Sequence, residues 1–236
     1  MRQKMAIITQ YLHLPVVCML CHHYHSNLYA VCERCRALLT PLNHTCCICC
    51  LPLTDDKFRF CGICIKQRPY YDRVITIHHF CEPLRTLLHE FKYYNALYLR
   101  TFLVQLMLEA YPLIKAMIAD LSSVCLVPVP MHRKRLQQRR FNQAAELAKL
   151  LSKHIAIPVE LTLCQKKINT PTQVSLNSKE RRRNLQQAFS ANPTRYSHVI
   201  LIDDLVTTGS TVNELAYVLK KKGVKRVDVW CLARAS

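Results

Sequence analysis

Val199-Ile-Leu-Ile-Asp203-Asp204-Leu-Val-Thr207-Thr208-Gly209-Ser210-Thr211 is the stretch on which the fold turns. Four apolar residues running into an acidic pair suit a strand covered on both faces of a parallel sheet. Val212, Leu215, Ala216 and Leu219 then recur at helical spacing, so strand, loop and helix follow in order. At the carboxyl end of such a strand, the N–H groups of a tight turn and of the next helix's first residues converge on the crevice and favour an anion. Thr207, Thr208, Ser210 and Thr211 add hydroxyl donors, and Gly209 permits a close backbone approach or a positive φ. Average composition supplies ~16 glycines in this length; the chain has three, Gly62, Gly209 and Gly223, and one stands in this loop. Ser210 or Thr211 serving as a helix N-cap accounts for the hydroxyls alone. It does not account for Asp203 and Asp204, which repel each other unless a metal, a basic partner or a diol engages them. The combination suits a phosphorylated sugar.

The 236 residues allow one good-sized domain plus a small module, and a hydrophobic fraction of 50% supplies a core. Thirty-three Lys and Arg against fifteen Asp and Glu leave a formal charge of +18, which implies polyanionic company: nucleic acid, an anionic membrane surface or phosphate-rich small molecules. The best membrane-span candidate, Leu97 to Ala119, is interrupted by Arg100, Gln105, Glu109 and Lys115, so no span is expected. Leu12 to Leu20 follows basic residues as a signal peptide would, but no small-residue cleavage site comes after it.

Ten of the fourteen cysteines lie between Cys18 and Cys64. Eight of them form knuckles at one spacing: Cys18 with Cys21, Cys32 with Cys35, Cys46 with Cys49, and Cys61 with Cys64. A Cys-x-x-Cys turn presents two sulfurs on one side of a bend, and two such bends complete a tetrahedron around zinc. Up to two structural Zn2+ ions are expected, paired sequentially or in a crossed arrangement. Cys47 and Cys50 are also spaced as a knuckle; Cys46 and Cys49 are preferred because Leu51-Pro52 then follows the pair as in zinc ribbons. Reduced thiolates in this number point to a cytoplasmic chain. Cys81, Cys125, Cys164 and Cys231 stand alone in apolar surroundings and read as core residues.

In the middle of the chain, Arg73 to Phe80 alternates as a strand, Pro83 opens a helix through Leu84, Leu87, Leu88 and Phe91, and Leu97 to Ile118 reads as a long helix bent at Pro112. Val124 to Pro130 is a second buried strand, and Phe141, Ala144, Ala148 and Leu151 mark the helix that follows. Between them runs a loop that holds Pro130, Met131, His132, Arg133, Lys134 and Arg135, then Arg139 and Arg140, with no acid between Asp120 and Glu146. Such a cluster faces solvent or a polyanion. Asn169 to Asn177 is polar, with Pro171, and reads as a mobile loop leading to a third basic cluster that contains Arg181, Arg182, Arg183 and Asn184.

The 199–211 run resembles the phosphoribosyl-pyrophosphate (PRPP) signature of type I phosphoribosyltransferases. That resemblance implies that Asp203 and Asp204 are the catalytic pair, meeting the ribose hydroxyls directly or through the water shell of Mg2+. It also implies that Thr207, Thr208, Gly209, Ser210 and Thr211 wrap the 5′-phosphate, that residues 130–135 form the pyrophosphate loop, and that the 169–184 segment closes over substrate. With the knuckles, Pro128-Val-Pro-x-His132-x-x-Arg135, Arg139-x-Phe141-Asn142-Gln143, Thr170-x-x-Gln173 and Arg181-x-x-Asn184, the chain resembles the ComF/GntX family from end to end. That family joins a zinc ribbon to a phosphoribosyltransferase-like domain and is associated with DNA uptake in natural competence. The fold expected is therefore α/β: a parallel sheet flanked by helices over residues 69–236, preceded by a double zinc ribbon over residues 1–68. Two departures stand out, Arg140 in the glycine position before Phe-Asn-Gln and Cys50 in the glycine position after a knuckle.

Two functions are compatible with this reading. One is a transferase, or nucleotide-metabolism enzyme, that uses PRPP and Mg2+. The other is a non-catalytic single-stranded DNA-binding module that keeps the pocket as a ligand sensor, with basic loops forming a groove and Tyr93, Tyr94 and Trp230 available for stacking. Competence-machinery proteins are the partners that the resemblance implies.

Overall fold

The structure is a computed structural model that describes residues 15–94, 96–168 and 188–235. Its centre is an all-parallel sheet built from β3 (Arg73–Ile75), β4 (His78–His79), β5 (Val124–Pro128), β8 (His198–Val206) and β9 (Arg226–Arg234). The order is β3-β9-β8-β5, with β4 also paired to β9 just beyond β3. Pro158 to Glu160 adds a further parallel rung outside β5 through Leu126. The Arg73 to Phe80 strand of the sequence reading is thus two short strands, and the interruption is filled by the Thr76 hydroxyl, which donates to the Leu232 carbonyl at 2.9 Å.

Both faces of the sheet are covered, as the unbroken apolar runs require. Ile200, Ile202, Trp230 and Leu232 face α3 (Leu84–Tyr93), α4 (Arg100–Leu108) and α7 (Gln143–Ile155). Val199, Leu201, Val227, Val229 and Cys231 face the other way, against α8 (Ser210–Lys221) and the antiparallel pair β6 (Cys164–Lys166) and β7 (Phe189–Ala191). Trp230 is fully buried in the first of these layers, stacked on Tyr111 at 6.3 Å, so it offers no face to a nucleobase.

The long helix expected over 97–118 is broken. A 3-10 turn (Leu97–Leu99) leads into α4, and α5 (Tyr111–Lys115) starts after Glu109 and Ala110. The physical reason is Pro112, which has no N–H for the α4 ladder and crowds the carbonyl four residues back. The basic stretch after β5 is not a loop throughout: Arg133–Arg139 forms α6. His132 caps it, its Nδ1 accepting from the Lys134 amide at 3.2 Å, and Arg140 ends it at φ +64. That left-handed position is where glycine costs least, which explains why glycine is the expected residue there.

The amino-terminal segment is two copies of one design. Cys18 N–H donates to the His23 carbonyl at 2.9 Å and Cys46 N–H to the Leu51 carbonyl at 2.8 Å. His22 and Cys50 close the turns back to Cys18 and Cys46, at φ +59 and φ +58 respectively. Cys32 and Cys61 then stand in extended conformation at the starts of α1 (Glu33–Arg36) and α2 (Gly62–Lys66). The first copy, which also includes the β1 (Val16–Val17) and β2 (Tyr24–His25) ladder, packs on the α3 and α4 side of the sheet, and the second packs on the α8 side. None of the helices among the described residues is long and apolar enough to cross a membrane.

Candidate functional site

The site lies at the carboxyl end of β8. Residues 198–202 are buried, and the chain then turns polar at Asp203 and Asp204 before the loop 207–211 leads into α8. Because strand side chains alternate, the two carboxylates separate. Asp203, half-buried, lines an open cleft of ≈ 250 Å³ together with residues 205–212, while Asp204 points away from that lining.

Gly209, at φ +76, is the N-cap of α8, and its carbonyl accepts from Asn213 at 2.9 Å. Neither Ser210 nor Thr211 caps the helix, since both already lie past the cap. The Thr208 hydroxyl is instead 3.0 Å from the Ser210 hydroxyl and accepts from the Ser210 amide at 3.4 Å. A β-carbon at Gly209 would stand 3.4 Å from the Tyr71 hydroxyl, within ordinary contact, so it is the positive φ that favours glycine here. The loop therefore presents the first amides of a twelve-residue helix and a set of hydroxyls to the cleft, an arrangement suited to a phosphate.

Lys92, from the last turn of α3, completes the acidic pair. Its ammonium lies 2.7 Å from Asp204 Oδ2. Burial opposes the charge on Lys92, but the Asp204 carboxylate, with Asp203 behind it, outweighs burial and lifts the lysine above its ordinary pKa. Asp203 goes up as well: burial disfavours its charge, Asp204 repels it, and Lys92 compensates only in part. Its Oδ1 accepts the Asp204 amide at 2.9 Å. The motif had singled out two carboxylates, whereas the site has three charges, and the third was legible as a lysine continuing the buried stripe Leu84, Leu88 at helical spacing.

Around Lys92 the surface is aromatic and basic. Tyr93 and Tyr94 are 59% and 67% exposed, which leaves their rings accessible. The Arg139 guanidinium sits 4.9 Å over the Tyr93 ring and donates to its hydroxyl at 3.3 Å, and His89 lies 4.9 Å from the same ring. The segment 130–132 leaves β5 beside this end of the sheet, anchored by Asn142, which donates to the Val129 carbonyl at 3.0 Å and caps α7. Arg133, Lys134 and Arg135 follow in α6. Arg181, Arg182 and Asn184 lie outside the described residues, as does the 169–184 segment; β6 and β7, paired through Lys166 and Phe189, flank it.

Eight sulfurs form two groups, Cys18, Cys21, Cys32, Cys35 and Cys46, Cys49, Cys61, Cys64, each with its ligand atoms within 4.8 Å of one another. Cys21 and Cys32 sulfurs are 3.7 Å apart, and Cys49 and Cys61 sulfurs 3.5 Å. A tetrahedron with zinc–sulfur bonds of ~2.3 Å has edges of about 3.8 Å, so both groups have the dimensions and chemistry of a four-thiolate structural zinc site. Cys50 takes no part: its thiol donates to the Thr76 carbonyl at 3.6 Å, and burial raises its pKa. The pairing is sequential, one copy of the ribbon to each tetrad.

Comparison with known proteins agrees with this architecture. The phosphoribosyl transferase domain family matches residues 142–236. The chain is 34% identical over 223 residues to "Competence protein F" of Haemophilus influenzae, covering 91% of this chain and 96% of that one. It is 31% identical over 227 residues to "DNA utilization protein YhgH" of Escherichia coli K12, covering 94% and 98%. A shorter match, 33% over 101 residues, is to "Competence protein ComFC" of Bacillus subtilis, 42% of this chain and 39% of that protein. With a zinc-ribbon-like pair of cysteine tetrads, a parallel sheet carrying the 199–211 motif, and relatives aligned over nearly their whole length, the chain belongs to the ComF family of proteins with a phosphoribosyltransferase-type domain.

Proposed function

We propose that the cleft at the end of β8 binds PRPP as its magnesium complex and that the protein serves the handling of DNA taken up by the cell. The single observation behind this is the convergence of Asp203, the 207–211 loop and the amino end of α8 on one cleft. The 5′-phosphate is held by the loop amides and the hydroxyls of Thr207, Thr208, Ser210 and Thr211. Asp203, facing the same cleft, accepts from the ribose hydroxyls. Asp203 would hold magnesium that accompanies the substrate, directly or through its water shell, and the ion would supply charge that offsets that of the pyrophosphate. Asp204, on the opposite face of the strand, is paired with Lys92 and holds that cation at the strand end behind Asp203. The 130–135 segment and α6 bring positive charge towards the departing pyrophosphate; the substrate-covering role expected of Arg181, Arg182 and Asn184 falls outside the described residues. Positioning and charge are sufficient for transfer of ribose 5-phosphate to an acceptor; no covalent nucleophile is needed.

The role in DNA uptake comes from the relatives' names, competence protein and DNA utilization protein, and from the charge of +18. We divide the chain into a double zinc-ribbon module over 1–68 and a phosphoribosyltransferase-like domain over 69–236, working in the cytoplasm with other competence proteins. The test is calorimetric titration of PRPP with and without Mg2+. Binding that needs Mg2+ supports the reading, and no heat under either condition sinks it.

A second reading is favoured by the exposed Tyr93 and Tyr94 beside Arg139: the site holds single-stranded DNA, and the phosphosugar is a sensed ligand rather than a substrate. Oligonucleotide affinity measured across a salt series, with and without saturating PRPP, separates the two. The second reading requires a steep salt dependence, with a log–log slope of about −0.7 per phosphate neutralised, and competition by PRPP.

A further inference from the structure

Arg234, the last residue of β9, is 3% exposed, which is unusual for a guanidinium. Its Nε donates to the Cys49 carbonyl at 2.9 Å. Its Nη1 donates to the carbonyls of Val206 at 3.0 Å, Thr207, and Ala235 at 2.6 Å. One side chain thus fastens the Cys46–Cys49 knuckle of the second tetrad to the two residues with which β8 passes into the phosphate loop. Every hydrogen bond that Arg234 donates among the described residues ends on a backbone carbonyl, so the cation lies beneath the loop with no carboxylate bonded to it. A buried charge is costly unless an anion is near; four thiolates around one Zn2+ leave net negative charge beside Cys49, and the loop is where a second anion is expected.

A second contact joins the same two places. Tyr71, 5% exposed, belongs to the apolar cluster that contains Cys46, Cys49 and Cys64, and its hydroxyl lies beside Gly209, 3.4 Å from where a β-carbon there would stand. Its neighbour Tyr70 donates its amide to Asn213 of α8 at 2.7 Å. From the same side, Val74 N–H donates to the Ile48 carbonyl at 2.7 Å and Arg73 Nε to the Cys47 carbonyl at 3.1 Å. The Cys46–Cys49 knuckle is therefore stitched to the sheet edge on one side and to the loop on the other. Among the described residues, nothing comparable ties the first tetrad to the loop. It packs among α3 and α4 residues, and its outer link is Arg36 to Glu109 at 2.8 Å.

We propose that Arg234 is a positioning residue that makes the second cysteine tetrad and the phosphate loop one mechanical unit, so that metal held by Cys46, Cys49, Cys61 and Cys64 orders the loop and strengthens its grip on a phosphosugar. The affinity part rests on the reading given under Proposed function; the coupling part does not. By linkage, ligand in the loop must hold the metal more firmly to the same degree.

The test uses the full chain loaded with zinc. Amide hydrogen exchange at residues 208–211 is followed in the wild type, in Arg234→Lys, which keeps the charge but loses the fork of donors, and in Cys61→Ser/Cys64→Ser, which empties the second tetrad. Exchange is expected to quicken by about tenfold in Arg234→Lys with two zinc ions still bound, well within the range for coupled sites. It should quicken at least as much in Cys61→Ser/Cys64→Ser, and less in Cys32→Ser/Cys35→Ser. Should the serine variants fail to fold, Arg234→Lys decides alone: unchanged exchange at 208–211 overturns the proposal. A readout that a purely structural role would not move is release to a chelator of the zinc held by Cys46, Cys49, Cys61 and Cys64. PRPP with Mg2+ should slow it in the wild type and not in Arg234→Lys, and equal slowing in both overturns the coupling through Arg234. Calorimetry on the same samples keeps the two claims apart. If the wild type takes up no PRPP, the phosphosugar reading falls, while the exchange experiment still decides whether the tetrad and the loop are one unit.

Discussion

The two ends of the central strands carry buried acids in opposite conditions. At the amino end, Asp228 is 1% exposed and fully partnered: His198 Nε2 lies 2.8 Å from its Oδ2, and Arg226 Nε donates to the same oxygen at 2.7 Å. Asp72, close by, accepts from the Val227 amide at 2.8 Å and pairs with Lys220 at 2.9 Å. At the carboxyl end, Asp203 has one backbone donor, a like charge next to it in sequence, and a pKa pushed upward by burial and by that charge. Acids with matched partners fasten strands together. An acid held in an environment that disfavours its charge, in a cleft, is held there for a ligand. The same strand, β8, runs from the first condition to the second in nine residues.

The severest way to break this contrast is Lys92→Met. It leaves Asp204 buried with no countercharge beside Asp203, and removal of one partner from a buried pair costs about 3–5 kcal/mol. Denaturant unfolding should show the loss, and Asp204→Asn in the same chain should restore much of it. A cost below ~1 kcal/mol, or strict additivity of the two changes, would mean that Lys92 is not the countercharge that the 2.7 Å contact implies.

Asp228→Asn tests the other end. Replacing a charged acceptor of two cationic or imidazole donors with a neutral one should cost about 2 kcal/mol in unfolding, in line with hydrogen bonds to charged groups. PRPP affinity per folded molecule should stay at the wild-type level, because Asp228 sits at the far end of the sheet. A large loss of affinity with unchanged stability would invert the assignment of the two ends.

The ribose contact is probed by Asp203→Asn with Asp204→Asn. We expect a folded protein whose PRPP affinity falls by at least ~1.4 kcal/mol, a factor of ten. Calorimetry that returns wild-type affinity for the double variant would remove the acidic pair from ligand binding.

What the sequence made legible follows the same division. The 199–211 motif is contiguous, so its strand, loop and helix could be recognised from local pattern, and knuckle spacing likewise brings sulfurs together over short distances. Lys92 and Arg234 reach the site from other elements, and nothing local links them to Asp204 or to Thr207. A signal existed in each case, a lysine extending the buried stripe of α3 and an arginine ending a strand otherwise buried from Val227 to Ala233. Interpreting it required knowing which elements meet. The basic stretch 133–139 reads as loop because it has one apolar residue, Leu136, and no buried face; its helicity comes from the His132 cap and the left-handed Arg140 rather than from hydrophobic periodicity. The glycine positions filled by Arg140 and Cys50 both have positive φ, a conformation that the departures themselves did not disclose in the sequence.

The smallest effect is also the one with the most specific sign. If Asp203 is held against its own preference, Asp203→Asn alone should make the protein more stable at neutral pH, the opposite of Asp228→Asn. A rise in Tm of about 2–4 °C would correspond to ~1 kcal/mol in a chain of this size. The pH dependence follows from linkage. A carboxyl whose folded pKa is raised binds its proton more tightly in the folded state, so the favourable contribution is fully present below the unfolded value and is lost as pH rises through the folded one. Protonated Asp203 and the asparagine that replaces it in the variant are both uncharged, so the two melting curves should converge as pH falls through the raised pKa towards ~3.9 and separate again above it. Melting temperatures of both proteins across that range measure the effect directly. A variant that is less stable than wild type at neutral pH, or a difference that does not change with pH, would show that Asp203 is a satisfied structural acid like Asp228 and that the two ends of β8 are alike.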